Sequence, residues 1–212
     1  MRATSTPIDT DDTLVEENTR LTAATGAVLL VVLAAEGITI LRVDQLLSWH
    51  AFLGVLLIPL ALVKLLSTGR RFVAYYRGDP AFVRRGPPHL ILRVLGPFVS
   101  LLTVLVLASG VILIVEGHGG QWFFVHKASF ILWFAAMTVH VLGHIVETLR
   151  IAPLDYTRAA ALRRAGVRRA VLAVAIVVGI AGGVLIQSSV HSWHHDGGKR
   201  LGTPAFKVAV HA

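Results

Sequence analysis

The sequence predicts an all-α integral membrane protein with five transmembrane helices, and three observations support this fold class. Of its 212 residues, 55% are hydrophobic and only 15% are charged, whereas a soluble domain carries about 25% charged residues. Five mostly apolar stretches have about the 20 residues that are needed to cross the hydrocarbon core of a lipid bilayer. Most of the arginines lie in two of the segments between these stretches.

The five stretches read as helices because a backbone in lipid must satisfy its hydrogen bonds within its own segment. The first contains one charged residue, Glu36; the second contains Lys64 and also Pro59; the fourth contains Lys127 near its start, and the third and fifth contain no charge. The predicted spans are residues 21–41, 46–66, 94–115, 123–146 and 170–190. Together they predict a membrane domain over residues 21–190.

The arginines predict the orientation, because cytoplasmic loops of membrane proteins are enriched in Lys and Arg. One cluster lies between spans two and three and consists of Arg70, Arg71, Arg77, Arg84 and Arg85. The other lies between spans four and five and consists of Arg150, Arg158, Arg163, Arg164 and Arg168. We therefore expect a multi-pass protein of the plasma membrane with a cytoplasmic N-terminus. Residues 1–20 are predicted to be a flexible cytoplasmic tail and residues 191–212 an extracytoplasmic tail.

The net charge of +8 is explained by these loops, which contact anionic lipid headgroups, so no nucleic-acid partner is expected. The absence of cysteine excludes a disulfide scaffold, a thiolate zinc site, an iron–sulfur cluster and c-type haem attachment. The sequence also lacks a phosphate-binding glycine loop and the common hydrolase motifs.

Histidines within the spans are the strongest functional signal, since ionisable residues there are costly and usually functional. His50 precedes Lys64 by 14 positions on the second span, and His126 precedes His140 by 14 positions on the fourth. Fourteen residues return to nearly the same helix face after a rise of roughly 21 Å. The two spans run in the same direction, so His50 and His126 are expected at one depth near the outer side.

Facing imidazoles on two parallel helices can hold a porphyrin between them. This pattern resembles the b-type membrane cytochromes of the cytochrome b561 and ferric-reductase-like kind, over about residues 46–149. The resemblance implies electron transfer through haem b, with His50 and His126 as axial ligands of an outer haem. It implies one haem, with a second as the alternative, because Lys64 stands where that pattern has another histidine.

The partner of His140 stays open: Lys64, His89 or no iron partner. His144 could bond a haem propionate or relay protons, and Lys64 is either a snorkelling lysine, with its ammonium at the interface, or a partner for a propionate. Glu36 is a candidate for proton uptake with haem or quinone reduction, or a structural hydrogen-bonding residue.

Two further features leave alternatives open. The C-terminal tail contains His191, His194, His195 and Asp196. These residues are read as an exposed polar tail, with a weak signal for metal binding as one alternative. The other alternative is that His191 replaces one of the two ligands of the outer haem. Gly179 and Gly183 form a G-x-x-x-G pattern, which permits close helix packing. We expect that packing within the chain, with a homodimer seam as the alternative.

We therefore expect an electron-transfer subunit of an oxidoreductase. It would exchange electrons between a quinol or a redox partner protein and an acceptor. The alternatives are a cofactor-free membrane scaffold or assembly protein, and a small proton-coupled transporter that uses Glu36, His140 and His144.

Overall fold

The computed structural model describes residues 10–84, 86, 90–117, 120–153 and 165–200, and it describes side chains over residues 13–84, 86, 93–117, 120–153 and 165–187. The described chain forms α-helices joined by short connections. In chain order they are α1 (Thr10–Leu41), α2 (Val43–Tyr76), α3 (Pro80–Arg84), α4 (Leu90–Glu116), α5 (Gly120–Ile151) and α6 (Ala165–Arg200).

Five of these helices are long and apolar enough to cross a membrane, which confirms the predicted all-helical fold with five candidate spans. The qualifying segments are Thr13–Leu41, Val43–Tyr76, Arg93–Glu116, Gly120–Ile151 and Ala165–Gln187. Large apolar side chains are exposed on their outward faces, among them Val115 (79%) and Leu185 (76%). Such faces suit contact with acyl chains, which are as apolar as the side chains themselves.

The first helix starts earlier than the sequence analysis predicts. Residues 10–20, assigned there to a flexible tail, form the first turns of α1. Val15 is only 2% exposed and packs with Phe82 of α3, and Asn18 Nδ2 donates to the carbonyl of Ser67 on α2 at 3.1 Å. Tertiary contacts therefore hold a polar segment in a helix, so that α1 begins within the predicted tail; residues 1–9 lie outside the described part.

The last helix also runs further than predicted. The backbone of α6 is helical through Arg200, so residues 191–200 of the predicted tail continue the helix. The side chains of His191, His194, His195 and Asp196 lie outside the described side chains, as do residues 201–212 altogether. The interpretations of those histidines stay predictions.

Helices α1, α2, α4 and α5 form a ring. In it α1 packs against α2 and α5, and α4 packs against the same two helices, so that α2 and α5 lie diagonally opposite each other. Helix α6 packs outside the ring, along α2. Aliphatic packing is concentrated at two seams, around Leu60 and Leu172 between α2 and α6, and around Leu102 and Trp133 between α4 and α5.

The G-x-x-x-G pattern lies at the seam between α2 and α6. A Cβ at Gly179 would lie 2.9 Å from the backbone oxygen of Leu56, and one at Gly183 would lie 3.1 Å from that of Phe52. Only glycine allows the two backbones to approach so closely. The expectation that the pattern serves packing within the chain is confirmed.

Candidate functional site

A cavity lies inside the ring of α1, α2, α4 and α5. It has a volume of about 590 Å³, which falls in the range of cofactor and ligand sites. Its walls are mostly aliphatic and aromatic. All six site residues singled out in the sequence line it: Glu36, His50, Lys64, His126, His140 and His144.

The polar residues gather at the two ends of the cavity. We call the end with Glu36, His50 and His126 the His50 end, and the end with Lys64, His140 and His144 the His144 end. Fourteen helical residues separate the two ends, a rise of roughly 21 Å. The cavity therefore has two separate polar sites, one at each end, with apolar walls between them.

At the His50 end the two histidines lie close together across the diagonal of the ring. The imidazole centroids of His50 and His126 are 6.3 Å apart, and the ring planes are inclined at 79°. A metal–imidazole bond is about 2 Å long and the ring centre lies about 1.2 Å beyond the nitrogen, so two imidazoles on opposite sides of one metal ion have centroids about 6.4 Å apart. The observed centroid distance is therefore close to that of two imidazoles bound to one metal ion.

The ring of His50 is held by α1. Its Nδ1 lies 2.8 Å from Oε1 of Glu36 and 3.3 Å from Oγ1 of Thr39. Thr39 Oγ1 in turn donates to the backbone carbonyl of Glu36 at 2.6 Å, and Glu36 is 8% exposed. With Nδ1 donating to a carboxylate, Nε2 is the nitrogen that remains for a ligand.

The ring of His126 is held by α4. Its Nδ1 lies 3.0 Å from the carbonyl oxygen of Val106 and 3.1 Å from Oγ of Ser109. A carbonyl can only accept, so Nδ1 carries the hydrogen and Nε2 has a free lone pair. Gly110 makes room for this arrangement, because a Cβ there would lie 3.2 Å from Cε1 of His126.

Both imidazoles thus show the pattern typical of metal-ligating histidines, in which the second ring nitrogen donates to a carboxylate or a backbone carbonyl. The donor set fits haem b, because a porphyrin supplies the four equatorial nitrogens and needs only two axial ligands from the protein. Among the described residues no group of three or more His, Asp or Glu side chains is arranged for a metal ion.

The His144 end is arranged differently. Lys64 Nζ donates to the backbone carbonyl of Thr22 on α1 at 2.9 Å, and it occupies space left by Gly26, where a Cβ would lie 3.0 Å away. The ring of His140 lies 4.9 Å from that of His144 on its own helix, and its Nδ1 is buried without a hydrogen-bond partner. Lys64 is therefore anchored to α1 by a hydrogen bond to the backbone.

His144 lies nearer the surface, with its Nδ1 3.7 Å from Oε2 of the exposed Glu147. The other partner considered for His140, His89, lies outside the described residues. The structure thus brings Glu36, His50 and His126 together, as well as His140 and His144, and keeps these two groups apart.

Four residues of the site are not found by sequence reasoning: Thr39, Val106, Ser109 and Gly110. Each acts through a helix other than the one that carries the histidine it contacts. The adjacent small residues Ser109 and Gly110 are a usable signal, since small residues in apolar helices permit close approach. The rotation of α4 that aims them at His126 is a tertiary property.

The chain matches no protein-family model, and neither a curated protein nor a solved structure is detectably similar to it.

Proposed function

We propose that this protein is a membrane-embedded b-type haem protein, with His50 and His126 as axial ligands of one haem at the His50 end of the cavity. The observation that supports the proposal most strongly is the pair of imidazoles whose centroids are 6.3 Å apart. Each ring has its Nδ1 engaged by the protein, which leaves both Nε2 atoms for an iron between them.

The residues around the pair would hold the ligands in place. Glu36 fixes the plane of the His50 ring and raises the basicity of its Nε2, since a carboxylate acceptor draws the Nδ1 hydrogen. Ser109 and the Val106 carbonyl hold the His126 ring from α4. The apolar walls exclude water, and burial of this kind is one of the factors that set a haem potential.

When bound, the haem supplies an iron that accepts and releases one electron. The function that this supports is electron transfer between a quinol or a redox partner protein and an acceptor, as a subunit of an oxidoreductase. The arginine clusters support a cytoplasmic N-terminus, and with it an extracytoplasmic His50 end.

The cavity also bears on the two alternatives. A cofactor-free scaffold has no need of a large void, because protein interiors are close-packed and voids are destabilising. A proton-coupled transporter would connect Glu36 with His140, but roughly 21 Å of apolar wall separates the two ends. Neither alternative gives a reason for two neighbouring imidazoles from diagonal helices that both have Nδ1 engaged.

The test is a haem count on the full chain purified in mild detergent from cells supplied with a haem precursor. We expect red protein, a spectrum that changes on addition of dithionite, and one haem per polypeptide by pyridine haemochrome. Colourless protein under these conditions would refute the proposal.

A further inference from the structure

A second cavity lies outside the ring, where α1 packs against both α5 and α6. Its volume is about 380 Å³, which falls in the range of ligand sites. The described residues that line it are all apolar and come from three helices. They include Ala24, Ala27 and Val28 of α1, Leu149 and Ala152 at the end of α5, and Leu172 near the start of α6. We call this cavity the α1 groove.

The groove lies at the end of the bundle where the chain enters the first and fifth apolar stretches. Ala24 is near the beginning of the stretch 21–41 and Leu172 near the beginning of 170–190, whereas Leu149 follows the end of 123–146. This is the depth at which a bilayer changes from headgroups to acyl chains. Leu149 is 60% exposed, so the groove has an open wall at that depth.

Two arginines flank this end of the groove, one on each side. Arg150 follows the α5 wall directly, and Arg169 lies about one helical turn before Leu172 on α6. Both are exposed, and within the described part of the chain neither forms an ion pair with a carboxylate. Glu147, which is near Arg150 on α5, lies 3.7 Å from Nδ1 of His144 instead.

The other charges nearby are already paired with one another. Arg20 Nε lies 3.0 Å from Oε1 of Glu16 on α1, and Arg168 Nη1 lies 3.9 Å from Oε1 of Glu17. Each pair contributes no net charge. The two exposed arginines therefore leave this end of the groove positively charged.

We infer that the α1 groove binds an anionic phospholipid, with an acyl chain along its apolar walls and the headgroup phosphate at Arg150 and Arg169. The ligand must be apolar over most of its length, because the lining residues are apolar. It must carry negative charge at one end, because the cations there have no carboxylate. Basic pockets between transmembrane helices recognise anionic lipid headgroups in this way.

This inference goes beyond the proposed function and does not depend on it. The α1 groove and the cavity that contains His50 and His126 have no lining residue in common. A lipid in the groove would thus bind equally well to red and to colourless protein. The contribution of one arginine to binding an anionic headgroup corresponds to a factor of about five in affinity.

The experiment is native mass spectrometry of the full chain in mild detergent, titrated with phosphatidylglycerol or with phosphatidylcholine of identical acyl chains. We expect preferential retention of one phosphatidylglycerol, with an affinity lower by about fivefold in each of Arg150→Gln and Arg169→Gln. Arg42→Gln is the matched control. It removes the same charge from an exposed residue between α1 and α2, at the opposite end of the bundle.

Ala27→Leu tests the apolar part of the groove without changing the charge. Its larger side chain would occupy the space that is available to the acyl chain, so the retained phosphatidylglycerol should be lost. Ala34→Leu makes the same change at an exposed position of α1 outside the groove and should leave retention unaltered.

Three results would overturn the inference. The first is equal retention of the two lipids, or equal affinities for phosphatidylglycerol in the Arg150, Arg169 and Arg42 variants. The second is retention of neither lipid, which would mean that protein closes the groove. The third is binding of soluble glycerol phosphate as tight as that of phosphatidylglycerol, which would mean that the apolar walls contribute nothing.

Discussion

The imidazole centroids of His50 and His126 lie 6.3 Å apart, although the helices that carry them sit diagonally across the bundle. Polar contacts from the two flanking helices hold the rings in this position. Glu36 of α1 contacts the His50 ring, and Ser109 of α4 contacts the His126 ring. The site is thus built by four helices, and each of the two supporting helices can be tested separately from the two proposed ligands.

Replacement of Glu36 by glutamine tests the support from α1. The amide keeps the size of the side chain but removes the carboxylate that accepts from His50 Nδ1 at 2.8 Å. We expect haem binding weaker by about 10- to 100-fold, the usual cost of losing such a partner. We also expect a higher midpoint potential in a redox titration, because a less basic imidazole stabilises ferric iron less.

Asp44→Asn is the control for this change, since Asp44 is an exposed carboxylate in the first turn of α2. It should leave both affinity and potential unaltered. Equal effects of the two substitutions would mean that Glu36 acts only through net charge.

Replacement of Gly110 by alanine tests the support from α4. The new methyl group would lie 3.2 Å from Cε1 and 3.5 Å from Nδ1 of His126, and the ring cannot move away without stretching its bonds to Val106 and Ser109. We expect reduced haem retention and an altered low-spin electron paramagnetic resonance spectrum. Gly37→Ala, where a Cβ meets nothing within 4 Å, should leave the spectrum unchanged.

Replacement of Gly183 by alanine tests the packing of α6 on α2. A Cβ at this position would lie 2.5 Å from Cδ2 and 3.1 Å from the backbone oxygen of Phe52. Overpacking of this kind costs about 1–3 kcal/mol, so the free energy of unfolding in detergent should fall by that amount. Gly69→Ala, which places its Cβ in open space, should show no loss, and an equal loss there would contradict the proposed seam.

Replacement of Val15 by alanine tests whether the segment before the first apolar stretch is part of the fold. Val15 is 2% exposed, whereas Val31 in the same helix is 71% exposed. Deletion of buried methyl groups should destabilise the protein by about 1–3 kcal/mol, and Val31→Ala should cost much less. Equal midpoints of thermal unfolding for the two variants would indicate that residues 13–20 do not pack.

The five candidate spans could be predicted from the sequence because the bilayer makes a simple demand on each segment separately, namely length and apolarity. The depth match of His50 and His126 could be predicted for a similar reason, since helical rise converts a spacing of 14 residues into a distance. Both arguments need only one helix at a time.

Features that depend on two helices could not be predicted in this way. The polar residues 10–20 read as a tail, but the contact of Asn18 with Ser67 on α2 accompanies a helix there. The spacing of polar residues on α2 and α5 alone makes Lys64 a candidate iron partner of His140. The Thr22 carbonyl that accepts from Lys64 belongs to α1, and no periodicity within one helix shows that approach.

The central claim is tested most directly by the reduced-minus-oxidised absorption spectrum of the purified full chain, recorded beside that of His126→Ala. We expect the sharp α band of a six-coordinate, low-spin b-type haem in the wild-type protein and its loss in the variant, because one axial ligand is removed. A wild-type protein without this band, or a variant that keeps it unchanged, would contradict ligation by His50 and His126.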